Sequence, residues 1–436
     1  MRIAEHEVRR VSVLGYGRTG RAVSEYFYSH DVEVFVSDSR ALGADDTNHL
    51  SARGIPYEQA GHTVRVLEGT DLVIISPGIR PDLPILQKVR ETQTQIISEL
   101  DLAFLLIPDT PLIAITGTNG KSTTVKLVEE ILRQVGIKAI AAGNIGLPAI
   151  TLADNPPEVV VLEVSSFQLE QSRIFRPSVA CLLNIAPDHL DRHGSMDRYV
   201  AAKLSIFDRQ TNADLAIASH EVPLLRGSVE ARIVCYEDVT LPKDVFVDSL
   251  SPHNRSNLRA AIACCKGVIP TLDESRIDLR VLKGAFHLPY RMQEEPSLGG
   301  LRVINDSKST NAASAITALQ AIDGPCVLIL GGRHKRAGYE QLASIIVQRD
   351  VRRVILFGEG ATLLRLSLRD VGYARVTLCS TLDHALKCAL KEAREGDTIL
   401  FSPACSSYDQ YSNYVERGEH FSHLVRSALE QQSPNR

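Results

Sequence analysis

No stretch of about eighteen consecutive apolar residues occurs anywhere in the chain, so a bilayer-spanning helix is not expected. The opening residues, MRIAEHEVRR, contain no apolar segment and do not read as a signal peptide. The eight cysteines are scattered, with Cys264 and Cys265 the only close pair, and none has C-x-x-C spacing. That pattern indicates neither a zinc motif nor a disulfide framework, and it points to a reduced, cytoplasmic setting. There is no basic run and the formal net charge is −4, which argues against nucleic acid as a partner. An anionic substrate would therefore have to be held by local groups. Internal repeats and low-complexity tracts are absent as well.

What the chain does have is length and a recurring pattern. Its 436 residues suit about two to four domains. Short apolar runs alternate with helical patterns, the signature of α/β architecture. The runs are residues 11–14, 33–37, 72–76, 112–116, 159–163, 179–184, 327–330, 354–357 and 398–401. Their Val, Ile and Leu density suits parallel strands covered on both faces. Three strand ends carry glycines: Gly15-Tyr16-Gly17, Gly117-Thr118-Asn119-Gly120 and Gly331-Gly332. Each is read as opening a separate unit, which gives three domains: 1–98, 99–288 and 289–436.

The first loop, Gly15-Tyr16-Gly17-Arg18-Thr19-Gly20, follows a strand and precedes a helical stretch towards His30. Such a G-x-G-x-x-G lets backbone N–H groups approach a pyrophosphate at a helix N-terminus. A second strand ends at Asp38, with Ser39 and Arg40 behind it. An acid there can take ribose hydroxyls, as in nicotinamide-dependent dehydrogenases. The diphosphate of a UDP-sugar, with Arg40 beside its charge, fits the same geometry, and this loop alone does not separate the two.

The second loop is more specific. Thr116-Gly117-Thr118-Asn119-Gly120-Lys121-Ser122-Thr123 runs from strand to helix. Its backbone N–H groups would cradle phosphates, Lys121 would meet β/γ oxygens, and a hydroxyl of Ser122 or Thr123 could face Mg2+. It is shorter than the standard P-loop, with Ile115 where the first glycine is expected. Glu163 closes a strand at the C-terminal end where α/β sites gather, and His189 follows another buried run. Lys203 lies three or four residues from Tyr199, Val200, Ile206 and Phe207 on one helical face. Desolvation in that stripe favours the neutral amine, unless the amine snorkels to water.

On these residues the chain resembles the Mur ligase family. T-G-T-N-G-K-S-T is similar to the ATP loop of those enzymes and of folylpolyglutamate synthetases. Glu163-Val-Ser-Ser-Phe-Gln-Leu-Glu170 and Asn184-Ile-Ala-Pro-Asp188-His189-Leu-Asp191 resemble two further family segments. The resemblance implies that Glu163 binds one magnesium ion, His189 a second, and that Lys203 is carbamylated by CO2 or bicarbonate. It also implies that a carboxylate is activated as an acyl phosphate, with Lys121, His189, Lys203 and Lys308 in catalytic roles. ATP would contact Asn257 of His253-Asn-Arg-Ser-Asn257, Arg291 of Leu288-Pro-Tyr290-Arg291, and Asp306 of Asn305-Asp306-Ser307-Lys308-Ser309-Thr310-Asn311. The family usually has histidine where Tyr290 stands.

The last segment, Ser402-Pro-Ala-Cys-Ser-Ser407-Tyr-Asp409-Gln410 through Tyr414 and Arg417-Gly418, looks most like that of members adding D-glutamate to UDP-N-acetylmuramoyl-L-alanine. Gly15, Tyr16, Gly17, Arg18, Thr19, Asp38, Ser39, Arg40 and Asn144 would then hold the UDP-substrate. Thr310, Lys335, Ser407 and Tyr414 would hold the amino acid. The implied fold is three domains on mainly parallel sheets: Rossmann-like for UDP, P-loop-like for ATP, and Rossmann-like again. The implied setting is a cytoplasmic step of peptidoglycan synthesis, by a monomer with small-molecule substrates and neither membrane nor nucleic acid as partner. One departure stands out: where the family has an acid before its lysine, as in G-G-x-D-K, this chain has Arg333-His334-Lys335. His334 or a water is expected to hold Lys335 instead. Another ligase of this superfamily, adding a different amino acid, is the nearest alternative. A nicotinamide oxidoreductase would leave residues 117–124 idle, and a nucleotide sensor would not need Glu163, His189 and Lys203.

Overall fold

A computed structural model describes residues 1–3, 6–92, 94–144, 146–222, 229–336, 338–349 and 351–432. Apart from a short antiparallel pair at Arg2–Ile3 and His6–Glu7, the strands form three sheets. In the first, Arg10–Leu14 lies between Glu33–Ser37 and Leu72–Ile75, with Tyr57–Glu58 and Gln95–Ser98 at the edges, all parallel. The apolar runs explain this directly. Val11, Val13, Val34, Val36 and Ile74 enter one core, while Leu14, Phe35, Val73 and Ile75 enter another on the opposite face. A period of two with both faces apolar is what a sheet covered by helices on each side requires.

The second sheet runs Arg232–Cys235, Leu215–Ala218, Val179–Leu182, Leu112–Thr116, Val159–Glu163, Ala139–Gly143, again all parallel. Leu112–Thr116 and Val159–Glu163 are adjacent, with Glu163 opposite Ile115, so the carboxylate emerges beside the loop that follows Thr116. The helix Lys121–Gln134 leaves that loop. The third sheet orders Gln293–Leu298, Leu301–Asn305, Thr398–Ala404, Cys326–Gly331, Arg353–Phe357, Val376–Leu378, parallel except for its first strand. The mixed α/β class with mainly parallel sheets is therefore as expected.

Every expected run contains a strand, but the run 179–184 stops at Leu182 because Leu183 and Asn184 turn into the site. Strands such as Gln95–Ser98, Ala139–Gly143 and Val376–Leu378 escaped the pattern, being short or, in the Ala-rich case, composed of helix formers. The stretch expected as one helix around Lys203 is an α-helix, Met196–Leu204, closed by a 3-10 turn at Ser205–Phe207. By packing density the chain falls into two compact units: Met1–Asn184 with Val200–Leu282, and Ile185–Tyr199 with Lys283 onward. No helix among the described residues is long and apolar enough to cross a membrane.

Candidate functional site

In the first unit, the Gly15 loop is shaped by close backbone approach. Gly15 has φ +87°, and a Cβ at Gly20 would collide with the Gly15 carbonyl, which also accepts from Ser76 Oγ at 2.8 Å. Asp38 is buried beneath the turn. Its Oδ2 accepts from the Tyr16 amide at 2.7 Å, and its Oδ1 from the Arg40 amide at 2.8 Å and Nε at 3.1 Å. Burial raises the pKa of this carboxyl, but the bonds from Arg40 and Tyr16 outweigh it and hold it below the usual range. Arg40 and Ser39 are exposed, Thr19 is half-buried, and the Tyr16 phenol is pushed up to about 12 by burial. Arg18 Nη2 donates to the Asn144 carbonyl at 3.0 Å.

Around the second loop the geometry is denser. Gly120, with φ +89°, caps the helix Lys121–Gln134, and a Cβ there would strike Asn257 Oδ1. Only glycine meets both demands. Asn184 clamps the loop: its carbonyl accepts from Thr118 N at 3.0 Å, its Oδ1 from Asn119 N at 2.9 Å, and its Nδ2 donates to Asn119 O at 3.0 Å. Lys121 Nζ donates to the carbonyls of Gly117 (2.6 Å) and Thr118 (2.9 Å). The first turn of the helix carries no acid of its own; the carboxylate that meets its positive end is Glu163, which accepts from Ser122 Oγ at 2.7 Å.

Glu163, 2% exposed, accepts from Ser122 Oγ at 2.7 Å and from Asn144 Nδ2 at 2.9 Å. Both donors are neutral, so the carboxylate meets no cationic side chain through these two bonds. A carboxylate and a hydroxyl meeting at a phosphate-type loop are hard oxygen donors that suit Mg2+. Ser122 rather than Thr123 supplies the hydroxyl that joins Glu163. Asn257 is buried, and among the described residues its Nδ2 has no hydrogen-bond partner, an unused donor beside the loop. Lys203 is 2% exposed, with Ile206 and Phe207 buried beside it in sequence. Its Nζ donates to Gly117 O at 2.8 Å and lies 3.5 Å from Thr116 Oγ1. The amine therefore faces the loop and does not snorkel to water.

The second unit holds the remaining predicted residues. Lys335 is 9% exposed and its Nζ lies 2.9 Å from Asp188 Oδ1 and 3.5 Å from His189 Nε2. Asn311, the N-cap of helix Ala312–Gln320, donates to Asp188 Oδ2 at 3.0 Å. Burial raises the Asp188 pKa, but the Lys335 and His189 charges and the bonds from Lys335 and Asn311 hold it far below the carboxylate range. This corrects the expectation that His334 holds Lys335 in place of the missing acid: Asp188, remote in sequence, supplies a carboxylate 2.9 Å from its Nζ. His334 Nδ1 instead lies 3.4 Å from the Arg336 amide. His189 itself has φ +53° and caps a short helix, Leu190–His193.

Lys308 and Tyr414, assigned to different roles from sequence, are neighbours: Lys308 Nζ is 2.9 Å from the Tyr414 hydroxyl. Asp306 is buried and accepts from Ser402 Oγ at 2.7 Å and Met292 N at 3.1 Å, and burial raises its pKa. Ser407 is buried, while Thr310 and Arg291 are half-buried. Sequence reasoning gave no role to Asp188, Asn184, Asn311 or Arg417. Arg417 is fully buried, donating to Ser307 Oγ and O and to Cys405 O at 2.9–3.1 Å, and burial lowers it to about 10. All four sit inside the quoted motifs, so the signal was there but not their partners.

Family models match three stretches: a MurD N-terminal domain at 10–85, a Mur ligase middle domain at 115–237, and a Mur ligase glutamate ligase domain at 290–405. The chain is 34% identical to a UDP-N-acetylmuramoylalanine–D-glutamate ligase of Pelotomaculum thermopropionicum, over 96% of this chain and 98% of the other. Among solved structures it is similar in fold to the UDP-N-acetylmuramate–alanine ligase MurC of Thermotoga maritima (TM-score 0.60, 20% identity, 96% and 99% covered). It is likewise similar to the MurF ligase of Thermotoga maritima in complex with ADP (TM-score 0.58, 16% identity, 92% and 96% covered).

Proposed function

The chain belongs to the Mur ligase family, and we propose that within it the protein joins D-glutamate to UDP-N-acetylmuramoyl-L-alanine in a cytoplasmic, ATP-driven step of peptidoglycan synthesis. The observation that carries the reading is the Ser122–Glu163–Asn144 junction at the mouth of the Gly117–Gly120 loop. It joins the loop expected to hold ATP to Asn144, which is expected to meet the muramoyl-alanine end of the other substrate. Domains 1–98, 99–288 and 289–436 would carry UDP-substrate, ATP and amino acid in turn, in a chain acting as a monomer.

In the reaction, an alanyl carboxylate oxygen attacks the γ-phosphorus, ADP leaves, and an acyl phosphate results. The amine of D-glutamate then attacks the acyl carbon and phosphate leaves. Little covalent chemistry falls to the protein, so catalysis is positioning plus charge stabilisation. Lys121 would swing from the loop carbonyls to the β/γ oxygens, and Asn257 would offer its Nδ2 to the base. Arg291 and Asp306 would complete the nucleotide contacts, and Lys308 would meet the transferring phosphoryl group. Ser122 and Thr123, Glu163, His189 and Lys203 as a carbamate would hold Mg2+, two ions in all. Bound there, the metal neutralises phosphate charge. In the first domain, Gly15, Gly17 and the start of the helix Arg18–Ser29 would face the diphosphate, with Arg40 at its flank. Lys335, Thr310, Ser407 and Tyr414 hold D-glutamate. Phosphate release tests this: it should need ATP, Mg2+, UDP-N-acetylmuramoyl-L-alanine and D-glutamate together, and vanish in Lys121→Ala. Turnover without ATP or magnesium would refute it.

A further inference from the structure

The outer edge of the second sheet gathers groups that the ligase reaction does not use. Leu215–Ala218 and Arg232–Cys235 pair in parallel with Ala218 opposite Cys235, so the residues just beyond both strand ends are neighbours. There a ring nitrogen of His220, the thiol of Cys235 and a carboxylate oxygen of Glu237 all lie within 4.8 Å of one another. Cys235 Sγ is 3.6 Å from Glu237 Oε2. The edge between sulfur and oxygen ligands of a tetrahedral zinc is about 3.5 Å, from bond lengths of about 2.3 and 2.0 Å. Asp238 Oδ1 lies 3.0 Å from His220 Nε2, the carboxylate partner that metal-bound histidines commonly use to fix ring and tautomer.

The scaffold is held in place. Tyr236, between Cys235 and Glu237, is buried and donates its hydroxyl to Leu183 O at 2.6 Å, and Ser219 Oγ donates to Glu237 Oε1 at 2.5 Å. A cavity of about 500 Å3, lined among others by Cys235, Asp238, Lys266 and Glu274, reaches Cys235 from outside, and His220 is itself exposed.

We propose that His220, Cys235 and Glu237 form a binding site for Zn2+ or a similarly thiophilic divalent ion, oriented by Asp238 and completed by water. A thiolate, an imidazole and one carboxylate select zinc over magnesium, which prefers oxygen ligands alone. On binding, the Cys235 proton now shared with Glu237 leaves to solvent and sulfur bonds to the metal. The ion ties together the ends of the two outermost strands and so secures the edge of the ATP-binding sheet. The spacing His220…Cys235-x-Glu237 matches no familiar zinc motif, which is why only the fold brings it out.

The test is titration of the metal-free full chain with Co2+, followed by competition with Zn2+. One equivalent should give a thiolate-to-cobalt charge-transfer band in the near ultraviolet, which Zn2+ abolishes and Mg2+ does not. Cys235→Ser and His220→Ala should each lose the band. The Glu163–Ser122 set contains no sulfur, so ions there leave this signal silent and the ligase reading is tested separately. In the unsubstituted protein, Zn2+ should also protect Cys235 from alkylation, mapped by mass spectrometry, which covers the case of a variant that fails to fold. No band at one equivalent, a band that persists in Cys235→Ser, or unprotected Cys235 would overturn the proposal.

Discussion

Asp188→Ala is the substitution whose effect is largest and easiest to reason through. It removes the carboxylate 2.9 Å from Lys335 Nζ in a pair whose side chains are 6% and 10% exposed. At that separation the attraction is about 6 kcal/mol for an effective dielectric of 20. Desolvating both ions takes back part of it, but removing one partner leaves the other charge buried alone, which costs about 3–5 kcal/mol. Urea unfolding followed by far-ultraviolet circular dichroism should show that loss, and Lys335→Ala should show a similar one. The double variant should cost little more than either single, the mark of strong coupling. A lysine ammonium has three donors, so the bond to Asp188 does not exhaust Lys335, and a substrate carboxylate can take another. Lys335→Ala should therefore also raise KM for D-glutamate about tenfold to a hundredfold, from one charge-assisted bond of about 1.5–3 kcal/mol. KM for ATP should be unchanged. A loss below about 1 kcal/mol for Asp188→Ala, or additive single variants, would mean the pair is solvated and the reasoning wrong.

Gly120→Ala should lower ATP affinity and destabilise the protein by about 1–3 kcal/mol, because φ +89° strains any L side chain and the new methyl displaces Asn257; calorimetry and nucleotide titration check both. Lys203→Ala should lose turnover, with partial recovery when a small carboxylic acid is added to stand in for the carbamate; an equally active variant refutes carbamylation. The Asp38 carboxyl is held below its usual value, so its contribution is present above about pH 4 and fades as pH falls through the folded value. Asp38→Asn should therefore be less stable than the unsubstituted protein at pH 6, and the gap should close on acidification; a gap that widens in acid contradicts the sign.

Much of the fold was legible because buried parallel strands are written as dense Val, Ile and Leu runs, and every run forms a strand. The strands that escaped are those whose pairing comes from neighbours, such as Ala139–Gly143, whose AIAAG sequence has no strand bias of its own. At the site, Lys203 was legible from its apolar stripe, since helical spacing is local information. Asp188 holding Lys335 was not, because 147 positions separate them and no spacing rule reaches that far. The same holds for Asn184 on Asn119, and for Arg417, whose partners Ser307 and Cys405 are set by the third sheet.

The central claim is that this ligase adds D-glutamate. Phosphate release with ATP and UDP-N-acetylmuramoyl-L-alanine, measured across D-glutamate, L-alanine, L-lysine and diaminopimelate, tests it most directly. D-glutamate should give the highest kcat/KM by a wide margin, and Lys335→Ala should erode that preference. A higher kcat/KM for a diamino acid or L-alanine, or a preference untouched by Lys335→Ala, would contradict it.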